Sequence, residues 1–169
     1  DNDWRGWKPA RYMPYWKTAK ENLASAPVEM LVAQSGNALT INVKKAIEGR
    51  FDQAMTYTVY PDGLVNVSYN VDIAEKALDP LRIGLQGQVS NELECVTYFG
   101  RGPQENYSDR NDGIFLGTWT TSVAGMMTDY VYPQENGNRT DVRWISMADL
   151  EGNGIQFLGV EPLSVSAWN

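Results

Sequence analysis

From Pro27 onward the chain alternates apolar and polar residues with period two, the signature of half-buried β-strands. The clearest run is Leu64–Ile73. Val65, Val67, Tyr69, Val71 and Ile73 take one face, and Asn66, Ser68, Asn70 and Asp72 take the other. Val28–Gln34 and Ala38–Val43 flank Ser35-Gly36-Asn37, and Gln53–Tyr60 and Leu64–Ile73 flank Pro61-Asp62-Gly63. Both predict antiparallel hairpins, since Pro presets φ and Gly supplies a left-handed turn position. Further strands are predicted at Leu81–Val89, Leu93–Phe99, Ile114–Thr121, Asp141–Asp149, Ile155–Val160 and Leu163–Trp168, with a turn at Glu151-Gly152-Asn153-Gly154.

Ahead of the strands, residues 1–9 are Trp-rich and read as an extended entry segment. Between Ala10 and Ala24, Tyr12, Tyr15, Trp16, Ala19 and Leu23 recur at helical spacing. Pro14 is tolerated only in a first turn, which starts this helix near Met13. Its expected role is to cover one end of a sheet; the alternative has Trp4, Trp7 or Trp16 facing a partner surface or a sugar. About ten strands with one short N-terminal helix predict an all-β fold, a large antiparallel β-sandwich spanning 1–169 as a single domain.

Composition narrows the chemistry. The chain has no His, which removes His-based triads, His general bases and most zinc sites. A net charge of −7 argues against nucleic acid, whose phosphates call for clustered Lys and Arg. No apolar run approaches the roughly 18 residues of a membrane span. The single Cys95 excludes an internal disulfide, and its place in the alternating run Leu93–Tyr98 predicts a buried, inert thiol. No cofactor or metal site is expected.

Polar chemistry concentrates in two stretches. Gly100-Arg101-Gly102-Pro103-Gln104-Glu105-Asn106-Tyr107-Ser108-Asp109-Arg110 reverses the chain after an aromatic strand, and Arg101, Arg110, Glu105 and Asp109 offer two opposite-charge pairs. Tyr132-Pro133-Gln134-Glu135-Asn136-Gly137-Asn138-Arg139 is built alike, with Glu135 able to pair Arg139 and Asn136-Gly137 supplying a turn. Arg–carboxylate pairs are a common brace for long loops, so bracing is preferred here over direct contact with a ligand or a neighbouring domain. Arg143 and Trp144 follow on opposite faces of a strand, able to cap the sheet or to stack on a sugar. A glycosidase pair made of Glu105 and Glu135 is disfavoured. Each has an Arg within a few residues, and a nearby guanidinium favours the ionised carboxylate over a general acid.

The run Tyr98–Arg110, the run Tyr130–Arg139 and the pair Arg143-Trp144 together resemble the small-chain (fifth) domain of family 2 β-galactosidases. Asp1-Asn2-Asp3 is similar to the end of the segment that opens that domain, and Pro80-Leu81-Arg82-Ile83-Gly84-Leu85 to one of its strands. The resemblance covers essentially the whole chain in order. It implies a galactose mutarotase-like supersandwich belonging to a retaining enzyme that hydrolyses terminal β-D-galactosides. It places both catalytic glutamates in a separate barrel domain, so that no residue of this chain is catalytic and the fragment alone is inactive. The expected partners are the other domains of the parent, with the galactoside met only indirectly, in a soluble and homo-oligomeric bacterial enzyme of cytoplasm or periplasm.

If the two loops and the strand after them make direct contact instead of bracing, the substrate or domain-interface candidates are Arg101, Glu105, Asn106, Asp109, Arg110, Glu135, Asn136, Arg139, Arg143 and Trp144. The chain stops at Ser164-Val165-Ser166-Ala167-Trp168-Asn169, short of the family's closing Trp-bearing segment, and so reads as a truncated domain. The alternative is a stand-alone galactoside-binding module. Aldose epimerases of the same superfamily use a His with a Glu, which this chain lacks.

Overall fold

The computed structural model describes residues 12–80, 82–132 and 134–168. The entry segment with Trp4, Trp7 and the opening Asp1-Asn2-Asp3 lies outside them. Among the described residues the order is α1 (Tyr12–Ser25), β1 (Glu29–Ser35), β2 (Ala38–Ile47), β3 (Phe51–Val59), β4 (Val65–Ile73), β5 (Cys95–Gly102), β6 (Phe115–Ser122), a 3-10 turn at Ala124–Met126, β7 (Arg139–Ala148) and β8 (Gly154–Val165). The strands form two four-stranded sheets, β1-β2-β3-β4 and β6-β5-β7-β8. All their pairings are antiparallel. Two antiparallel sheets with one short helix are the make-up of an all-β sandwich. No described helix is long and apolar enough to cross a membrane.

The chain divides between Gly84 and Leu85 into two compact units. In the first, three successive hairpins keep an unbroken register. Gly36 at φ 58° makes the tight Ser35-to-Ala38 reversal, a backbone state that costs glycine little. Register puts Val32, Ile41, Tyr57 and Val67 in one cross-strand row and Met30, Val43, Met55 and Tyr69 in the next on the same face. The opposite face carries Asn42, Thr56 and Ser68, with Thr56 Oγ1 donating to Asn42 Oδ1 at 2.8 Å. Helix α1 sits at one end of the apolar face. Ala19 is buried, the Trp16 ring lies 6.3 Å from Phe51, and Lys45 Nζ donates to Leu23 O. The covering role expected for this helix is what it performs, and the Trp16 indole N–H is bound to Asp79 O.

The second unit carries the larger core. Val96, Tyr98, Val123, Met126, Val142 and Ile145 are buried together, and Trp119, Met147, Leu163, Val165 and Ala167 pack on them. Burying each large side chain is worth about 1.5–3 kcal/mol.

Four expectations are corrected. Residues 82–90 form no strand, because a strand needs a partner edge as well as alternation. Here Ile83, Leu85 and Val89 stay exposed beside Gly84 and Gly87, at the division between the units. The last two predicted strands are one continuous strand, β8, which bends at register shifts opposite β7. Eight strands therefore stand among the described residues where about ten were predicted. Cys95 is exposed, since the buried side of β5 is that of Val96 and Tyr98.

Candidate functional site

β5 and β7 are antiparallel neighbours, with Phe99 opposite Trp144. The end of β5 and the start of β7 therefore lie at the same sheet edge, and the two polar loops meet there. Close approach is built into the sequence. A Cβ on Gly100 would stand 2.7 Å from Val142 Cγ2 and 2.9 Å from Val142 Cα, so only glycine lets the strands pack this way.

Asn106 is the hub, fully buried. Its Nδ2 donates to Arg101 O at 3.1 Å and Gln104 O at 3.0 Å. Its Oδ1 accepts from Thr140 N at 2.9 Å and from Thr140 Oγ1. Its backbone N–H donates to Asn138 O, and its carbonyl accepts from Asn138 Nδ2 at 2.8 Å. A carboxamide has two donors and a two-lone-pair acceptor, and every one is used. Glu105 completes the join: its Oε2 accepts from Gly137 N at 2.8 Å, with the side chain only 7% exposed.

The guanidinium groups do different work. Arg139 is buried and donates to Tyr98 Oη at 3.0 Å, Asn138 O at 3.1 Å and Met126 O at 3.4 Å. The expected Glu135–Arg139 pair is absent among the described ion pairs. Arg139 points into the core beneath its loop instead. Arg101 pairs with Asp141 across the strands and donates to Ile114 O at 2.7 Å, so its acid lies outside its own loop. Asp141 stands at φ 55° within the β7–β8 register shift between Arg139 and Val142, an uncommon backbone state for a non-glycine residue. Arg110 stacks 4.0 Å over the Tyr107 ring, with Glu105 Oε1 and Asp109 Oδ1 each 3.6 Å away.

The remaining candidates are peripheral. Asn136 bonds Thr128 through both amide atoms and closes the loop before β7, and its carbonyl accepts from Trp168 Nε1. Arg143 is exposed and donates to Asp141 O at 2.9 Å, while Trp144 is half-buried between Phe99 and Leu158 in the sheet. Glu135 lies near enough for its charge to act on the Tyr107 phenol. Sequence reasoning missed Tyr98, Thr140, Asn138 and Asp141. Asn138 and Tyr98 stood inside runs already singled out, but Thr140 and Asp141 lie on β7 and carry no local signal.

Burial, reinforced by the Glu105 charge, pushes the Tyr107 phenol up to about 12. The Asn138 amide favours the phenolate slightly, without reaching hydrogen-bond geometry. Burial also raises Tyr98, partly offset by Arg139. Both phenols therefore stay protonated: Tyr98 Oη accepts from Arg139, and the Tyr107 ring carries the Arg110 guanidinium. Among the described residues no three Cys, Asp or Glu side chains gather as metal ligands. The arrangement holds shape: most of its donors and acceptors are spent on each other, while Glu105 Oε1, Tyr107 Oη and Arg110 Nη2 make no hydrogen bond among the described residues.

A family profile described as "Beta galactosidase small chain" matches residues 1–169. Three curated proteins named beta-galactosidase are similar to the chain. That of Halalkalibacterium halodurans is 32% identical over 95% of the chain and 16% of its own length. That of Priestia megaterium is 33% identical over 75% of the chain and 12% of its length. That of Lactococcus lactis subsp. lactis is 34% identical over 68% and 12%. The chain thus spans less than a fifth of these relatives. With a profile match along its full length and these relatives beside it, the chain belongs to the β-galactosidase small-chain family.

Proposed function

We propose that this chain is a non-catalytic domain of a β-galactosidase, a galactose mutarotase-like sandwich that shapes one wall of a sugar pocket whose catalytic carboxylates lie in another domain. The observation that carries the reading is the commitment of the site's polar groups. Asn106 has every hydrogen-bonding position filled, and Glu105 is buried with Oε2 on the Gly137 amide and Oε1 facing Arg110. A retaining glycosidase needs one carboxyl free to donate a proton and a second free to attack about 5–5.5 Å away. Groups locked in a brace serve preorganisation, which holds a pocket's wall in register with chemistry done elsewhere. The reading also assigns the parent to the bacterial cytoplasm or periplasm, with the other domains as this chain's partners and no cofactor within these residues.

The test is turnover of an aryl β-galactoside by the purified 1–169 chain. None is expected, and turnover abolished by Glu105→Gln or Glu135→Gln would overturn the reading. Calorimetric titration with galactose and lactose adds a second arm. No heat is expected; millimolar binding lost in Trp144→Ala would make the chain a galactoside-binding module instead.

A further inference from the structure

The apolar face of the N-terminal sheet is open over most of its span. Three cross-strand rows make it up, running from Gln34 to Val65, from Val32 to Val67 and from Met30 to Tyr69. Apart from Gln34 their members are aliphatic, thioether or aromatic side chains, and none is buried. Met30 is 66% exposed, and Val32 and Val67, at the two ends of one row, are 52% and 47% exposed. Helix α1 closes only the far end of the face, at Lys45 and Phe51. An antiparallel sheet with one side this apolar and the other polar is written to carry a second layer on the apolar side. The C-terminal unit has that closure from its own residues: Val123, Met126 and Ala167 pack on the buried side of its sheet. On the reverse side of that sheet, Thr120, Thr97, Ser146 and Gln156 form a polar row.

Size and length together say what covers the open face. Four strands about 4.8 Å apart and three rows about 6.8 Å apart span roughly 400 Å². A stable complex between separate molecules buries about 800 Å² on each partner, so a second copy seated here would gain too little. A segment of the same polypeptide needs less contact, because tethering raises its effective concentration. The relatives have polypeptide to supply it, since the chain spans 16%, 12% and 12% of their lengths. We propose that a segment of the parent polypeptide outside residues 1–169 lays an apolar layer over these three rows and so seats the N-terminal sheet against the rest of the enzyme. The inference rests on the reading of the chain as one domain of a larger β-galactosidase, and it names the surface by which that domain is held.

The experiment is a structure of the full-length protein, by crystallography or cryo-electron microscopy, with hydroxyl-radical footprinting of Met30 in the same protein. The expected structure places Met30, Val32 and Val67 against apolar side chains from outside residues 1–169. Met30 is then expected to oxidise slower by about tenfold or more in the native protein than in urea. A face open to solvent, with Met30 oxidising at nearly its rate in urea, overturns the inference. So does cover supplied by a second copy or by residues within 1–169. Turnover by the 1–169 chain would unseat the non-catalytic reading and leave this result standing, whereas cover of another kind would unseat this inference alone.

Discussion

The two sheets have four strands each and are held in opposite ways. The N-terminal sheet is a run of hairpins in unbroken register whose first strand is exposed along its whole length. Ile47, with Ala19 on the helix beside it, makes up the buried hydrophobics of this unit among the described residues. The C-terminal sheet has a broken β7–β8 register, six buried hydrophobics and three buried polar residues, Asn106, Arg139 and Thr140. Ladder and turns order the first locally. Contacts spanning more than thirty residues order the second. The difference teaches where fragility lies: substitutions should hurt where polar groups are buried, and pass almost unnoticed where regular strands face outward.

Arg139→Ala is the severest way to press that contrast. It strips partners from Tyr98 Oη and from the Asn138 and Met126 carbonyls in the core. The expected loss is about 3 kcal/mol or more in a denaturant titration. Asn106→Ala comes next, at about 2–3 kcal/mol, because it leaves the Thr140 amide and the Arg101 and Gln104 carbonyls unsatisfied. Asn106→Asp keeps the acceptor but loses both donors, and should fare no better. If both measured near zero, the carboxamide would not be what joins the loops.

Alkaline titration is a gentler probe of the same corner. The Tyr107 phenol is raised from 10.0 to about 12 in the folded protein. The folded state therefore holds its proton more tightly than the unfolded chain does. The resulting stability is complete below pH 10 and is lost as pH rises towards 12. Tyr107→Phe should flatten that fall in the urea midpoint, and an unchanged slope would assign it to other groups. Least of all should Val32→Thr matter in the isolated 1–169 chain. That side chain lies on the outer strand, 52% exposed, and the expected change is within about 0.5 kcal/mol. A loss above 2 kcal/mol there would erase the contrast between the sheets.

Legibility follows the same division. Period-two patterning and turn chemistry place β1, β3 and β4 to within two residues, since a hairpin is a local object, and stop β2 four residues short, at Val43 where the strand runs to Ile47. Alternation also separated the two faces of β5 correctly. It could not say which face is buried, and that is why Cys95 was expected inside. The density of Glu105, Asn106 and Arg110 marked the right loop. Its partners were out of reach: Thr140 and Asp141 arrive from a strand over thirty residues on, positioned by the β5–β7 pairing. Closeness in sequence misled for Glu135 and Arg139, because the core beneath the loop offers the guanidinium carbonyls and a phenol.

The outward-facing Cys95 has a practical side. It is the sole thiol in the chain and sits on an interior strand of the braced sheet. A maleimide dye would therefore attach at one known place without any engineering. Fluorescence from that label would report when the C-terminal sheet comes apart, separately from whatever the hairpin sheet is doing.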